Sequence, residues 1–121
     1  MLTTKQLGDF GEKIALSHLV KYGYQIIEKN WRYGKLEIDI IAQKSDIIAI
    51  VEVKMRENHD FGEPEDFVNR KKQGLLVKAA NEFLQSRGIE LEARFDIIAI
   101  TGTNNTFIVK HIEGAFFPVV K

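Results

Sequence analysis

The sequence predicts a single α/β domain whose elements run α-β-β-β-α-β-β. Three observations carry that prediction. Apolar residues recur at three- and four-residue intervals in two separate stretches, 7–19 and 68–84. Before and after the second stretch lie runs of about eight residues rich in Ile, Val and Phe, bounded by short polar turns. The 121 residues suit one hydrophobic core and show no linker, low-complexity segment or second core.

The first helix opens at Thr3-x-x-Gln6, a capping box. Leu7, Phe10, Ile14, Ala15 and Leu19 mark its apolar face, and Gly23 suits the position after its end, giving a helix from about Thr4 to Tyr22. YQIIEKNW, LEIDIIAQ and DIIAIVEV then read as three strands, the last two joined by a turn at Lys44-Ser45. The third is apolar from Ile47 to Val51, as a strand covered on both faces should be. MRENHDFGEPED follows neither period and reads as a mobile loop. Pro64 fits the first turn of a second helix. Val68, Leu75, Leu76, Ala79, Ala80, Phe83 and Leu84 form that helix's apolar face, and Gly88 stops it. RFDIIAIT and TFIVKHIE are the last two strands, around a turn containing Gly102, Asn104 and Asn105.

Composition narrows the function classes. Apolar residues make up 45% and charged residues 28%, ordinary for a soluble globular protein. Without cysteine there is no disulfide framework and no thiolate metal site. Lys plus Arg balance Asp plus Glu at 17 each, which argues against coating nucleic acid by bulk charge but permits a local basic groove. The first residues do not read as a signal peptide, and no apolar run approaches the roughly 20 residues of a membrane span. A cytoplasmic location with no membrane partner is the expectation.

Asp-Ile-Ile-Ala occurs three times, starting at Asp39, Asp46 and Asp96. The flanking residues differ and the intervals, 7 and 50 residues, are unequal, so the tetrapeptide marks buried strands and not a repeat. Asp46 falls at the turn end of its strand, and Asp96 reads as a strand-opening residue. Asp39 differs from both by having Glu52-x-Lys54 within cross-strand reach.

Glu37 and Asp39 share one strand face, as do Glu52 and Lys54 on the next strand. A two-residue turn at Lys44-Ser45 pairs Glu37 with Glu52 and makes Asp39 and Glu52 diagonal neighbours. A four-residue loop centred one residue later sets Asp39 directly opposite Glu52. Either arrangement gathers Glu37, Asp39, Glu52 and Lys54 on one face. Clustered carboxylates repel, and a divalent cation offsets that cost; magnesium is commonly held by one or two carboxylates plus water and phosphate. Asp39 and Glu52 suit ligand roles, and Lys54 suits orienting water or stabilising charge on a phosphate. Metal-assisted phosphodiester hydrolysis is the matching chemistry. The same residues also suit a plain solvated ion pair at the end of a strand.

GDFGEKIALSHL, NWRYG, EIDIIA, VEVKMR, FGEPEDFVNRKKQ and RFDIIAI together resemble the YraN family of bacterial proteins, in the right order and over nearly the whole chain. That family lies in the restriction-endonuclease-like, or PD-(D/E)xK, superfamily, to which archaeal Holliday-junction resolvases are related. The resemblance implies a restriction-endonuclease-like mixed sheet and magnesium- or manganese-dependent cleavage of DNA, with branched or Holliday-junction DNA as the substrate class. Carried onto this chain, it implies Asp39 and Glu52 as metal ligands, Glu12 in GDFGEK as the helix carboxylate that completes or positions the metal site, and Lys54 as the catalytic lysine. Leu36 departs from the pattern, since relatives often have glycine before the Glu of the EID segment. Glu37 is then an accessory, either beside the site or structural. A module that keeps the fold and binds nucleic acid or a protein without cleaving is the alternative.

Arg70, Lys71, Lys72 and Lys78 cluster on the second helix; the first three, with Arg56, are candidates for contacting the DNA backbone, as an alternative to a solvated face. Lys72-Gln73 matches a basic pair of the family, with Gln73 as an accessory. Arg32, Trp31 and Tyr33 are weaker DNA-contact candidates, the two rings being better suited to packing. His18, His59 and His111 lack zinc spacing; His18 reads as a helix-surface residue, and His59 lies in the loop. Phe116, Phe117 and Pro118 form an apolar tail that either covers the sheet or, if exposed, favours a homodimer.

Overall fold

The computed structural model describes residues 3–56, 68–103 and 106–118. Its elements are α1 Thr4–Lys21, β1 Gln25–Tyr33, β2 Leu36–Lys44, β3 Ile47–Arg56, α2 Arg70–Ser86, β4 Glu92–Thr103 and β5 Thr106–Phe116. This is the α-β-β-β-α-β-β order predicted from periodicity. The strands form one sheet in sequence order, with β3 and β4 parallel and the other neighbours antiparallel. A parallel neighbour needs a crossover, and the connection carrying α2 supplies it.

The two helices cover opposite faces. Ala15 and Leu19 of α1 bury against Ile40, Ala42, Ala49, Val51, Ile98 and Ile100. Leu76, Ala79, Ala80 and Phe83 of α2 bury against Ile41, Ile48, Ile50, Phe95 and Ile97. Alternate residues of β3 therefore serve both layers, which explains its unbroken apolar run. Each fully buried isoleucine contributes about 1.5–3 kcal/mol of transfer free energy.

At the start of α1 the Gln6 N–H donates to Thr3 Oγ1 at 3.1 Å, and the Thr3 N–H donates to Gln6 Oε1 at 2.9 Å. The capping box is formed as expected. Gly23 follows the helix with φ +90°, a conformation costly for most other residues. Gly11 lies against β3, where an added Cβ would stand 3.0 Å from Met55 Cβ. Hydrogen at this position lets α1 rest close on the sheet.

Several expectations are corrected. The turn between β2 and β3 is Ser45-Asp46, because Lys44 pairs with Ile47, and Ser45 takes φ +52°. α2 starts at Arg70, with the Asn69 side chain accepting from the Lys72 N–H at 2.9 Å. Val68 and Asn69 come before α2, and Pro64, like His59, Asn104 and Asn105, lies outside the described residues. Val68 is buried but lies ahead of the helix, while Leu75 is 44% exposed and does not belong to the apolar face.

Asp96 does not open its strand; it is buried within β4. Its Oδ1 accepts from Arg94 Nε at 2.8 Å and the Gly114 N–H at 3.0 Å; its Oδ2 accepts from Arg94 Nη2 at 2.7 Å and meets His111 Nε2 at 2.8 Å. His18 is not a bare surface residue either, since its Nε2 lies 3.2 Å from His111 Nδ1. This polar network ties β4, β5 and α1 together. Trp31 packs edge-on against Phe83 with centroids 5.3 Å apart, and Phe116 stacks on Phe95 at 5.0 Å, so both contribute to the core. Phe117 remains 77% exposed.

Candidate functional site

The site forms where β2 and β3 part. Their ladder runs from Lys44 opposite Ile47 to Ile40 opposite Val51, and ends just before Asp39 and Glu52. Asp39 Oδ2 accepts from the Val53 backbone N–H at 2.8 Å. A side-chain oxygen thus takes the place of a main-chain acceptor at the end of the ladder. Strand pairing that holds β3 against β4 continues through Arg56 opposite Thr101, so β3 stays supported beyond the fork.

Regular β2–β3 pairing stops there, and the acidic residues of the two strands part. Glu52 is 3% exposed and turns toward α2, where its Oε1 lies 2.8 Å from Lys72 Nζ. Its Oε2 is buried without a hydrogen-bond partner among the described residues. Leaving a buried carboxylate oxygen unpartnered is costly. Lys54 is half-buried and follows Glu52 on the same side of β3 by alternation.

Glu12, Glu37 and Asp39 open instead into a cavity of about 440 Å³, which Lys5, Gly8, Asp9, Asn30, Val53 and Met55 also line. The expected single face holding Glu37, Asp39, Glu52 and Lys54 is therefore not what forms. Asp39 stands between the two groups. Burial, then the neighbouring Glu52 charge, pushes its carboxyl up to about 7, with Glu12 adding to the rise. The Val53 N–H and Lys72 oppose that rise without cancelling it. A carboxyl this perturbed in a cleft has the electrostatics of a functional site.

Among the described residues no three Asp, Glu or His side chains converge as a ready-made metal cluster. The Asp39 and Glu52 pair nonetheless fits a divalent cation: two adjacent carboxylates resist joint ionisation, and one buried oxygen lacks a donor among the described residues. Glu12 stands across the cavity, linked through Asn30, whose Nδ2 donates to Glu12 Oε2 at 3.3 Å and to Glu37 Oε1 at 3.0 Å. Glu37 also pairs with Arg32 at 3.1 Å.

Lys72, expected at DNA phosphate, holds Glu52; Gln73 donates to the Val68 carbonyl at 2.9 Å and braces the start of α2. Arg70 and Lys71 are exposed on the first turn of α2, and Arg56 is half-buried at the end of β3. Asn30 was not legible as a site residue, although an asparagine opposite Asp39 that tolerates positive φ was a usable signal.

Fold and site define an α/β protein with a five-stranded mixed sheet between two helices and, at a strand fork, a half-buried aspartate beside a buried glutamate. The chain belongs to the family described as Uncharacterised protein family UPF0102, whose profile matches residues 11–100; this is the YraN group. It is 50% identical over 117 residues to the UPF0102 protein of Flavobacterium psychrophilum, covering 97% of this chain and 98% of that one. It is 44% identical over 121 residues to the UPF0102 protein of Flavobacterium johnsoniae, covering 97% and 98%. The UPF0102 protein of Bacteroides thetaiotaomicron is 41% identical over 118 residues, covering 98% of each chain.

Proposed function

We propose that this protein is a divalent-metal-dependent endonuclease acting on DNA, with branched or junction DNA as its substrate class. The observation that carries the reading is the half-buried Asp39 beside the buried Glu52, with the Asp39 carboxyl pushed up to about 7 and Glu52 Oε2 without a partner among the described residues. Asp39 and Glu52 would hold magnesium or manganese, which when bound supplies an activated water and offsets phosphate charge. Glu12 completes the rim of the site, and Lys54 orients the attacking water or donates a hydrogen bond to the phosphate. Arg70 and Lys71 offer two exposed cations on α2 for backbone phosphates, with Arg56 at the end of β3. Two such units acting as a homodimer would cut a four-way junction symmetrically.

The Lys72–Glu52 ion pair favours a second reading. The ammonium occupies one Glu52 oxygen at 2.8 Å, as it would in a non-catalytic module that uses lysine in place of the cation. A nicking assay on plasmid, replication-fork and four-way-junction DNA with Mg²⁺ or Mn²⁺ separates the two. The nuclease reading expects cleavage by wild type, a loss of at least 100-fold in Asp39→Ala and Glu52→Ala, and a similar loss in Lys54→Met. No cleavage of any substrate, with no Mn²⁺-dependent rise in melting temperature, supports the module.

A further inference from the structure

Asn30 combines three features that no other residue of the cavity shares. Its φ is +50°, in the left-handed region that L-residues other than glycine, asparagine and aspartate seldom enter. The β1–β2 register sets Lys29 opposite Ile40 and Trp31 opposite Ile38, which leaves Asn30 facing Asp39. Its single amide nitrogen donates to carboxylates from two different elements, Glu12 of α1 and Glu37 of β2. All four residues line the same 440 Å³ cavity.

These features have one physical account. Two carboxylates brought to one nitrogen repel each other, and each gains from a shared N–H donor. Extended backbone at residue 30 would continue the strand and carry the side chain along its regular alternation. The left-handed turn of the backbone instead accompanies an amide directed across the cavity toward α1. Strain of this kind is found where surrounding structure fixes a functional group. The amide is exposed, so burial does not account for its placement.

We infer that Asn30 is a positioning residue that clamps Glu12 and Glu37 beside Asp39, setting the rim of the metal site. This rests on the metal-site reading above. Asn30 touches neither Asp39 nor Glu52 through a hydrogen bond among the described residues. Its effect therefore reaches the cation through the two glutamates. Groups that orient ligands in this way commonly change metal affinity 10- to 100-fold when removed.

Asn30→Gly and Asn30→Asp test it, because both tolerate positive φ and neither should unfold the chain. Glycine relieves the backbone and removes the donor; aspartate keeps the size and places a third carboxylate against Glu12 and Glu37. The readouts are melting temperature without metal, the Mn²⁺ dissociation constant by calorimetry, and the Mn²⁺ dependence and KM of DNA cleavage. For Asn30→Gly the expected result is an unchanged or higher melting temperature, with Mn²⁺ affinity lowered about 10-fold. Cleavage should then need more Mn²⁺, recover at saturation, and show an unchanged KM for DNA. Asn30→Asp should show a changed Mn²⁺ affinity with the same KM. Wild-type Mn²⁺ binding that Asn30→Gly leaves unaltered overturns the inference and leaves the site standing. A wild type that binds no Mn²⁺ overturns the site and this inference together.

Discussion

Asp39 and Val53 meet through a hydrogen bond of 2.8 Å, backbone N–H to carboxylate, at the point where β2 leaves β3. That contact fixes the carboxylate by strand geometry and not by a loop. It also lets an asparagine substitute without losing the acceptor, since an amide oxygen accepts the same bond.

The first prediction concerns pH. Because Asp39 is raised from 3.8 to about 7, the folded state binds more protons than the unfolded state between those values. Its contribution to stability is full below about 3.8 and is lost as pH rises through about 7. Metal-free wild type should therefore be less stable at pH 8 than at pH 5 by an amount to which Asp39 contributes on the order of 1–3 kcal/mol. Asp39→Asn should flatten that part of the profile and stabilise the protein at pH 8. Urea unfolding in the presence of chelator measures it; identical slopes for both proteins would refute the assignment.

Metal binding should follow the same titration. A cation must displace the proton that Asp39 carries below about 7, so Mn²⁺ affinity should fall by up to about 10-fold per pH unit below neutrality. Calorimetry at pH 6, 7 and 8 in two buffers of different ionisation enthalpy counts the protons released. Values near zero at pH 6 would exclude Asp39 as the titrating ligand.

Lys72→Met removes the partner of a buried carboxylate. With Glu52 3% exposed, the metal-free variant should lose about 3 kcal/mol, as broken buried pairs do. Mn²⁺ should then restore more stability than in wild type, because a competing positive charge is gone. Thermal denaturation with and without Mn²⁺ reads both effects, and an equal or smaller metal-induced rise in the variant counts against a shared cation position.

Two glycines of α1 should respond oppositely to alanine. At Gly8 an added Cβ meets nothing within 4 Å, so Gly8→Ala should gain about 0.5–1 kcal/mol from helix propensity. At Gly11 the same methyl meets Met55 Cβ at 3.0 Å, and crowding of about 1–3 kcal/mol outweighs that gain. Chemical denaturation of the two variants should show opposite signs.

Local chemistry explains what the sequence revealed. Thr3, Gln6 and Gly23 act within a few residues of their partners, so the limits of α1 were readable. β3 announced its burial by an unbroken apolar run. The β2–β3 turn was misplaced by one residue because Lys44, Ser45 and Asp46 are all polar, and the strained φ of Ser45 has no glycine to signal it. Glu37 and Asp39 do share one side, but Glu52 does not join them, because the cross-strand step assumes a ladder that continues, and this one ends at Ile40 opposite Val51. Asp96 was misread because His111 lies 15 residues away and Arg94 sits two residues before it, on the same strand. Asn30 acts through Glu12, 18 residues earlier, which no local pattern records.

The aspartates of the three Asp-Ile-Ile-Ala stretches finally differ in coordinative saturation. Asp46 stands exposed in a turn and spends its lone pairs on solvent. Asp96 has Arg94 Nε, Arg94 Nη2, His111 Nε2 and the Gly114 N–H around its two oxygens, and its first sphere is full. Asp39 has the Val53 N–H on one oxygen and a neighbouring carboxylate that resists its ionisation. On the metal-site reading, that difference would sort a hard cation: turned away from the aspartate whose oxygens protein donors already surround, and admitted to the one whose inner sphere is still incomplete.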